Sequence, residues 1–257
     1  MSNIERRNIL GCPFDAISFE ETISAMTDAV RSGKRLQIVP GSIDFVMKAK
    51  RDRQFAQELW SADLVVADGV PIVWSATLLG TPLRGRVSGT ELVWNCGLVS
   101  QQTGSPVVLL GARDGVAPRA AKQMFERFPG ATIHAIPTPW PLGHQQSLQI
   151  ADRVKELGAG IVLVALGAPR QERWVQTYLA ATGASVGIGV GSAFDIICGD
   201  KPRAPNWMQG MGLEWFHRML QEPGRLGRRY LIEDSPFLLH LTRELVARRM
   251  FSRGSGA

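Results

Sequence analysis

The stretch Ile161-Val-Leu-Val-Ala-Leu-Gly-Ala-Pro-Arg-Gln-Glu172 carries the reading of the fold. Its first half, Ile161–Leu166, is apolar without alternation, as suits a strand buried on both faces of a parallel sheet. A Gly-Ala-Pro turn follows, and helical spacing takes over across residues 170–181. The same unit recurs elsewhere. Short apolar or β-branched runs at Leu36–Val39, Leu64–Ala67, Val107–Gly111, Thr132–Ile136 and Ser185–Val190 alternate with helical-period segments near residues 19–32, 43–58, 70–79, 115–128 and 145–157. That alternation predicts the α/β class, with a Rossmann-like parallel sheet flanked by helices. No internal repeat or low-complexity tract interrupts it.

Beyond about residue 195 the alternation stops, and Trp, Arg and Pro become frequent. The chain then ends in a helical pattern over Ser235–Phe251, with Ser235 as N-cap and Pro236 in the first turn. We therefore expect a catalytic body over residues 1–200 and a C-terminal helical appendage over 201–257. Of the net charge of +6, the appendage holds ten Lys/Arg against five Asp/Glu, so the body is almost neutral. A charge confined to one tail argues against a nucleic-acid-binding face. Within the last helix, Phe237, Leu238, Leu241, Leu245 and Val246 recur at roughly helical spacing among Arg243, Arg248 and Arg249. Two readings stand for this amphipathic basic helix: docking on its own domain, or contact with an anionic membrane surface.

The 257 residues are 45% hydrophobic and 20% charged, which excludes wholesale disorder and a multi-pass membrane protein. No run reaches the roughly 18 apolar residues of a spanning helix. Met1–Arg7 is polar with no apolar stretch after it, so the expected location is cytoplasmic, free or peripheral on the inner face of the membrane. Cys12, Cys96 and Cys198 are far apart and read as indifferent thiols in a reducing compartment.

In an open parallel sheet, ligands bind beyond the carboxyl ends of the strands. Asp68 and Gly69, Gly111, the segment 167–172 and the run Gly189–Asp195 all fall there. Asp68 is a candidate general base, or else a helix cap. Gly167–Glu172 sets a Gly–Pro turn at a helix start, which is either an anion site or a routine connection. Asp195 is placed to meet a ribose or base, or to cap a helix. Gly187, Gly189 and Gly191 form G-x-G-x-G, which is not the dinucleotide fingerprint, so no nicotinamide cofactor is expected. The chain has no D-x-D, and His134, His144, His217 and His240 lack ligand spacing, so no metal is expected either.

Six ordered motifs then add a resemblance. They are Ala62-Asp-Leu-Val-Val-Ala-Asp-Gly69, Arg86-Val-Ser-Gly-Thr90, Leu166-Gly-Ala-Pro-Arg-Gln-Glu-Arg-Trp174, Gly189-Val-Gly-Ser-Ala-Phe-Asp195, Arg203-Ala-Pro-Asn-Trp207 and Gly212-Leu-Glu-Trp-Phe-His-Arg218. Glu222-Pro223, Arg225 and Arg228-Arg-Tyr230 follow. From about Ile9 to Tyr230 the chain resembles the WecG/TagA/CpsF family, glycosyltransferase family 26. The resemblance implies inverting, metal-independent transfer from a UDP-sugar to a polyprenyl-diphosphate-linked saccharide in bacterial surface polysaccharide synthesis. It makes Asp68 the base and places Ser42, Gly69, Arg86, Gly111, Gln171 and Asp195 at the nucleotide-sugar. Arg225, Arg228 and Arg229 become candidates for neutralising diphosphate. The family's T-x-N pattern is Pro40-Gly-Ser42 here, and Glu91 stands where Asp is usual, so the donor sugar is left open. The altered 40–42 segment also motivates an alternative: a catalytically idle, membrane-associated nucleotide-sugar-binding protein of the same fold.

Overall fold

A computed structural model describes residues 4–254 except Trp140, Asn206, Gln209, Gly210 and Gly212, and omits the side chains of Trp215, Arg218, Arg225, Arg229, Tyr230, Arg249 and residues 251–254. All six strands read from the sequence are present, as β3 (Leu36–Gly41), β4 (Leu64–Ala67), β5 (Val107–Gly111), β6 (Ile133–Ile136), β7 (Ile161–Ala165) and β8 (Val186–Gly189). They form one parallel sheet in the order β4-β3-β8-β7-β5-β6. The α/β class is as expected.

Strict alternation along each strand divides the core into two faces. Leu36, Ile38, Leu64, Val66, Val107, Leu109, Leu163, Val186 and Ile188 point to one side. There they meet α1 (Phe19–Ser32), α5 (Gly89–Thr103), α6 (Val116–Arg127) and α9 (Ala193–Ile197). On the other side Val39 and Val65 pack against Phe45 of α2 (Ile43–Arg51), Phe55 and Leu59 of α3 (Arg53–Ser61) and Ile72 of α4 (Val70–Leu78). Val108, Val162 and Val164 on that side meet α7 (His144–Glu156) and α8 (Arg170–Thr182).

Three features depart from the sequence expectation. The segment 43–58 is not one helix, because Asp52 is extended (φ −124°, ψ 100°) and its carboxylate accepts from Phe55 N at 3.0 Å, starting α3 afresh. Helix α5 was not foreseen. Nor was the antiparallel hairpin of β1 (Arg6–Ile9) and β2 (Cys12–Asp15), which turns through Leu10 and Gly11, both with positive φ. Asp15 of that hairpin accepts from Val65 N of edge strand β4 at 2.7 Å and is gripped by Arg6 at 2.9 Å.

Past residue 200 come α10 (Glu214–Gln221), π-helical turns at Pro223–Gly227 and Arg229–Glu233, and α11 (Pro236–Gly254). Phe237 and Leu241 of α11 are buried in the cluster that holds α2, α3 and α4. Leu238, Leu239, Val246 and Met250 remain exposed. The apolar residues of this helix thus divide between docking and an outward face. Ser235 does not act as the expected cap: its hydroxyl donates back to Ile232 O at 3.4 Å.

Helix α8 lies close to β8 because Gly187 has no side chain; a Cβ there would stand 2.5 Å from Val175 Cγ1 and 3.1 Å from Leu179 Cδ1. Gly187→Ala should therefore destabilise the fold by about 1–3 kcal/mol through overpacking, read as a lowered urea midpoint.

Candidate active site

The parallel sheet brings the carboxyl ends of all six strands to one rim, and the candidate residues line up along it in strand order. Asp68 leaves β4 at one edge. Its N–H donates to Gly41 O at 2.8 Å, and Val87 N donates to Ala67 O at 2.9 Å, which brings the start of α5 alongside. Gly89 there has no side chain; a Cβ would lie 3.4 Å from Asp68 Oδ2 and 3.5 Å from Pro40 Cβ. The N-cap of α4 is Gly69, with φ 149°, so Asp68 is not the capping residue. Ser42, next along the rim at the end of β3, is the N-cap of α2 but makes no capping hydrogen bond.

The centre of the rim is held by Gln171. Its Oε1 accepts from Gly167 N at 3.1 Å and from Gly191 N at 3.0 Å, tying the loop after β7 to the loop after β8. Its Nε2 donates to Glu172 Oε1 at 2.7 Å. Gln171 and Glu172 are both buried. One backbone N–H of the turn expected to face an anion, that of Gly167, is thus occupied by the protein itself. Burial pushes the Glu172 carboxyl up to about 7, against the opposing hydrogen bond from Gln171.

At the far side, Gly111 ends β5 with φ 84°, and a Cβ there would stand 2.7 Å from Ala165 O, so the position demands glycine. Ala112 follows with φ 64°, a rare conformation for a non-glycine residue. Gly111 N donates to Thr138 Oγ1 at 2.9 Å. This loop borders a cleft of about 580 Å³ lined by Gly111, Arg113, Asp114, Thr138, Leu166 and Arg170, among others. Arg113 reaches from it to Asp195 at 2.8 Å. A second cleft of about 590 Å³ adjoins Arg113, lined also by Asp200, Lys201, Pro202, Gln221 and Glu222.

Arg86 is engaged across the molecule: it donates to Glu214 Oε2 of α10 at 3.1 Å and lies 3.6 Å from Glu91 Oε1. Arg203 donates to the same Glu91 oxygen at 2.6 Å. Glu91 therefore links two motif arginines. Arg228 is exposed, 3.7 Å from Glu233. The side chains of Arg225 and Arg229 lie outside the described residues. Arg170 belongs to the 167–172 turn already singled out as a candidate anion site, whereas sequence reasoning missed Arg113 and Thr138. Their signal was their place just after strands already identified. Among the described residues no group of three or more His, Cys, Asp and Glu is arranged to hold a metal ion.

Comparison with known proteins matches residues 7–250 to the Glycosyl transferase WecG/TagA/CpsF family. Among named proteins, the chain is 27% identical over 234 residues to an N-acetylglucosaminyldiphosphoundecaprenol N-acetyl-beta-D-mannosaminyltransferase of Staphylococcus aureus strain MW2, covering 88% of this chain and 89% of that protein. The proteins of the same name from strains NCTC 8325 / PS 47 and N315 show the same identity and coverage.

The Glu172 shift makes a stability prediction with a definite sign. A carboxyl whose folded pKa of about 7 exceeds its usual 4.5 favours the fold below the lower value and loses that contribution as pH rises through the higher one. The loss amounts to at most about 3 kcal/mol. Glu172→Gln, which cannot ionise, should therefore raise Tm relative to the parent at pH 8 and leave it nearly unchanged at pH 4.

Proposed function

Because the chain belongs to the WecG/TagA/CpsF family of glycosyl transferases, we propose that it moves a sugar from a UDP-sugar to a polyprenyl-diphosphate-linked saccharide, with inversion and without a metal ion. The observation that carries this reading is the layout of the rim. The Asp68 carboxylate stands at the β4 end and the Arg113–Arg170 cleft at the β7–β5 end, three to four strand spacings or roughly 14–19 Å away. Ser42, the Gly191 loop and Asp195 lie between. An extended nucleotide-sugar fits along such a row, with its nucleotide and diphosphate toward the arginines and its sugar toward Asp68.

In this reading Asp68 takes the proton of the acceptor hydroxyl as that oxygen attacks the anomeric carbon. The bond from that carbon to the diphosphate breaks on the opposite side, and UDP departs. Arginines replace a cation in stabilising the departing charge. Arg113 and Arg170 are the candidates within the rim, while Arg225, Arg228 and Arg229 are candidates from the appendage. Arg86 acts with Glu91, Arg203 and Glu214 to hold residues 201–257 against the site. The idle alternative rests on Pro40 and Ser42; nothing in the rim geometry favours it.

The acceptor's lipid makes membrane contact part of the same proposal. No helix among the described residues is long and apolar enough to cross a membrane. Exposed Trp207, Phe216, Leu220, Leu231, Leu238 and Met250 all belong to the basic tail, a composition suited to an anionic surface on the cytoplasmic side. Because Phe237 and Leu241 are core residues, truncating α11 would damage the fold. Leu238→Ser with Val246→Ser is the cleaner probe and should reduce co-sedimentation with vesicles containing phosphatidylglycerol while leaving Tm unchanged.

The catalytic assignment is tested by Asp68→Asn. Sugar transfer measured by UDP release should fall by about a hundredfold or more with UDP binding retained, and near-normal turnover would refute the assignment.

A further inference from the structure

Gln171 presents a problem of orientation that its own shape cannot solve. The two ends of a primary amide are nearly identical in size, yet only one arrangement works here. With Oε1 toward the loops it accepts from both Gly167 N and Gly191 N. Turned over, it would aim an NH₂ at two N–H donors and lose both bonds. The group on its other side is Glu172, whose Oε1 accepts from Gln171 Nε2 at 2.7 Å.

We infer that Glu172 is a positioning residue of the nucleotide rim: its carboxyl selects the Gln171 orientation that ties the loop after β7 to the loop after β8. The inference rests on the reading of this rim as the UDP-sugar site. Three observations support it. Glu172 is 2% exposed and its Oε2 has no hydrogen-bond partner, a costly placement that an apolar side chain would avoid. A carboxyl group keeps an oxygen that can accept from Gln171 Nε2 whether it is ionised or not. Room for it is reserved by Gly189, where a Cβ would stand 2.6 Å from Glu172 Oε1 and 2.7 Å from Gln171 Nε2. The backbone is held as well, since Gln37 Nε2 of β3 donates to Glu172 O at 3.1 Å.

The charged surroundings are specific. Lys48 and Asp44 of α2 act on Glu172 in opposite directions and pair with each other at 2.5 Å. Arg173, the next residue, turns away to Asp52, the N-cap of α3, at 2.7 Å and to Glu58 of α3 at 2.8 Å. β3 and β8 face Glu172 with Gln37 and Gly189, neither of which is charged. Ionisation therefore places charge on a buried carboxyl whose Oε2 has no partner, which disfavours the closed rim.

The test uses the full chain, UDP as the probe, and two variants. Glu172→Met keeps the bulk and removes the acceptor; it should weaken UDP binding by roughly tenfold, the worth of a hydrogen bond, and speed amide exchange at Gly167 and Gly191. Glu172→Gln can still offer an oxygen and should bind UDP within about threefold of the parent at pH 6.5. Between pH 6 and 8.5 the parent should lose affinity relative to Glu172→Gln, whose profile then reports only the titration of UDP. Parent-like UDP binding and exchange in Glu172→Met would overturn the inference. Should that variant not fold, superimposable pH profiles for the parent and Glu172→Gln would overturn it instead. A parent chain that binds no UDP at any pH would remove the nucleotide reading beneath it, a result distinct from both.

Discussion

Helix α8 lies against strand β8 with almost no space between them, and the geometry of the rim depends on that closeness. Two glycines on the same face of β8 make it possible: Gly187 admits Val175 and Leu179, and Gly189 admits Gln171 and Glu172. The first contact is apolar and packs the helix; the second is polar and stitches the loops. They lie two residues apart because successive residues on one face of a strand are two apart. A methyl group at either position would push the start of α8 outward, and with it the amide that joins the Gly167 and Gly191 loops. Packing and site geometry here are the same constraint.

β4, β5, β7 and β8 were legible because burial on both faces leaves an unbroken apolar run, whereas β3 with Gln37 and the half-buried β6 with His134 were legible from their alternation with helices. The hairpin was not. Its strands have four residues each, one contains Pro13, and what holds it is Arg6 with Asp15 reaching Val65 some fifty residues away. Helix α5 escaped because Gly89 and Gly97 sit inside it, where glycine ordinarily weakens a helix. Both have a tertiary reason: Gly89 makes room beside Asp68, and Gly97 lies under the ring of Phe128. Ser42 came from the family resemblance, and the positions of Asp68 and Asp195 at strand ends followed from the strand pattern. Their partners did not, since Arg113 meets Asp195 across 82 residues and Arg86 meets Glu214 across 128.

The charge of the tail reads differently once its partners are visible. Glu214, Glu222 and Glu244 are paired with Arg86, Lys201 and Arg248, and Glu233 lies near Arg228. Partly exposed pairs of this kind each contribute about 0–1 kcal/mol. Burying Phe237 and Leu241 contributes roughly 1.5–3 kcal/mol apiece. The apolar anchors of α11, more than the ion pairs, therefore hold the end of the chain to the body. The ion pairs select orientation, setting Arg86 and Arg203 around one carboxylate.

The strand order carries a consequence for how the molecule is made. β8 is the last strand of the sheet to be synthesised, yet it lies between β3 and β7. On the ribosome, β3 and β4 can pair early, and so can β5, β6 and β7, but the two groups have no shared edge until β8 emerges. Until then each presents an open strand edge. The chain is thus most exposed to aggregation just before its last strand appears, and the loops that would hold the nucleotide are set only by the step that joins the two halves.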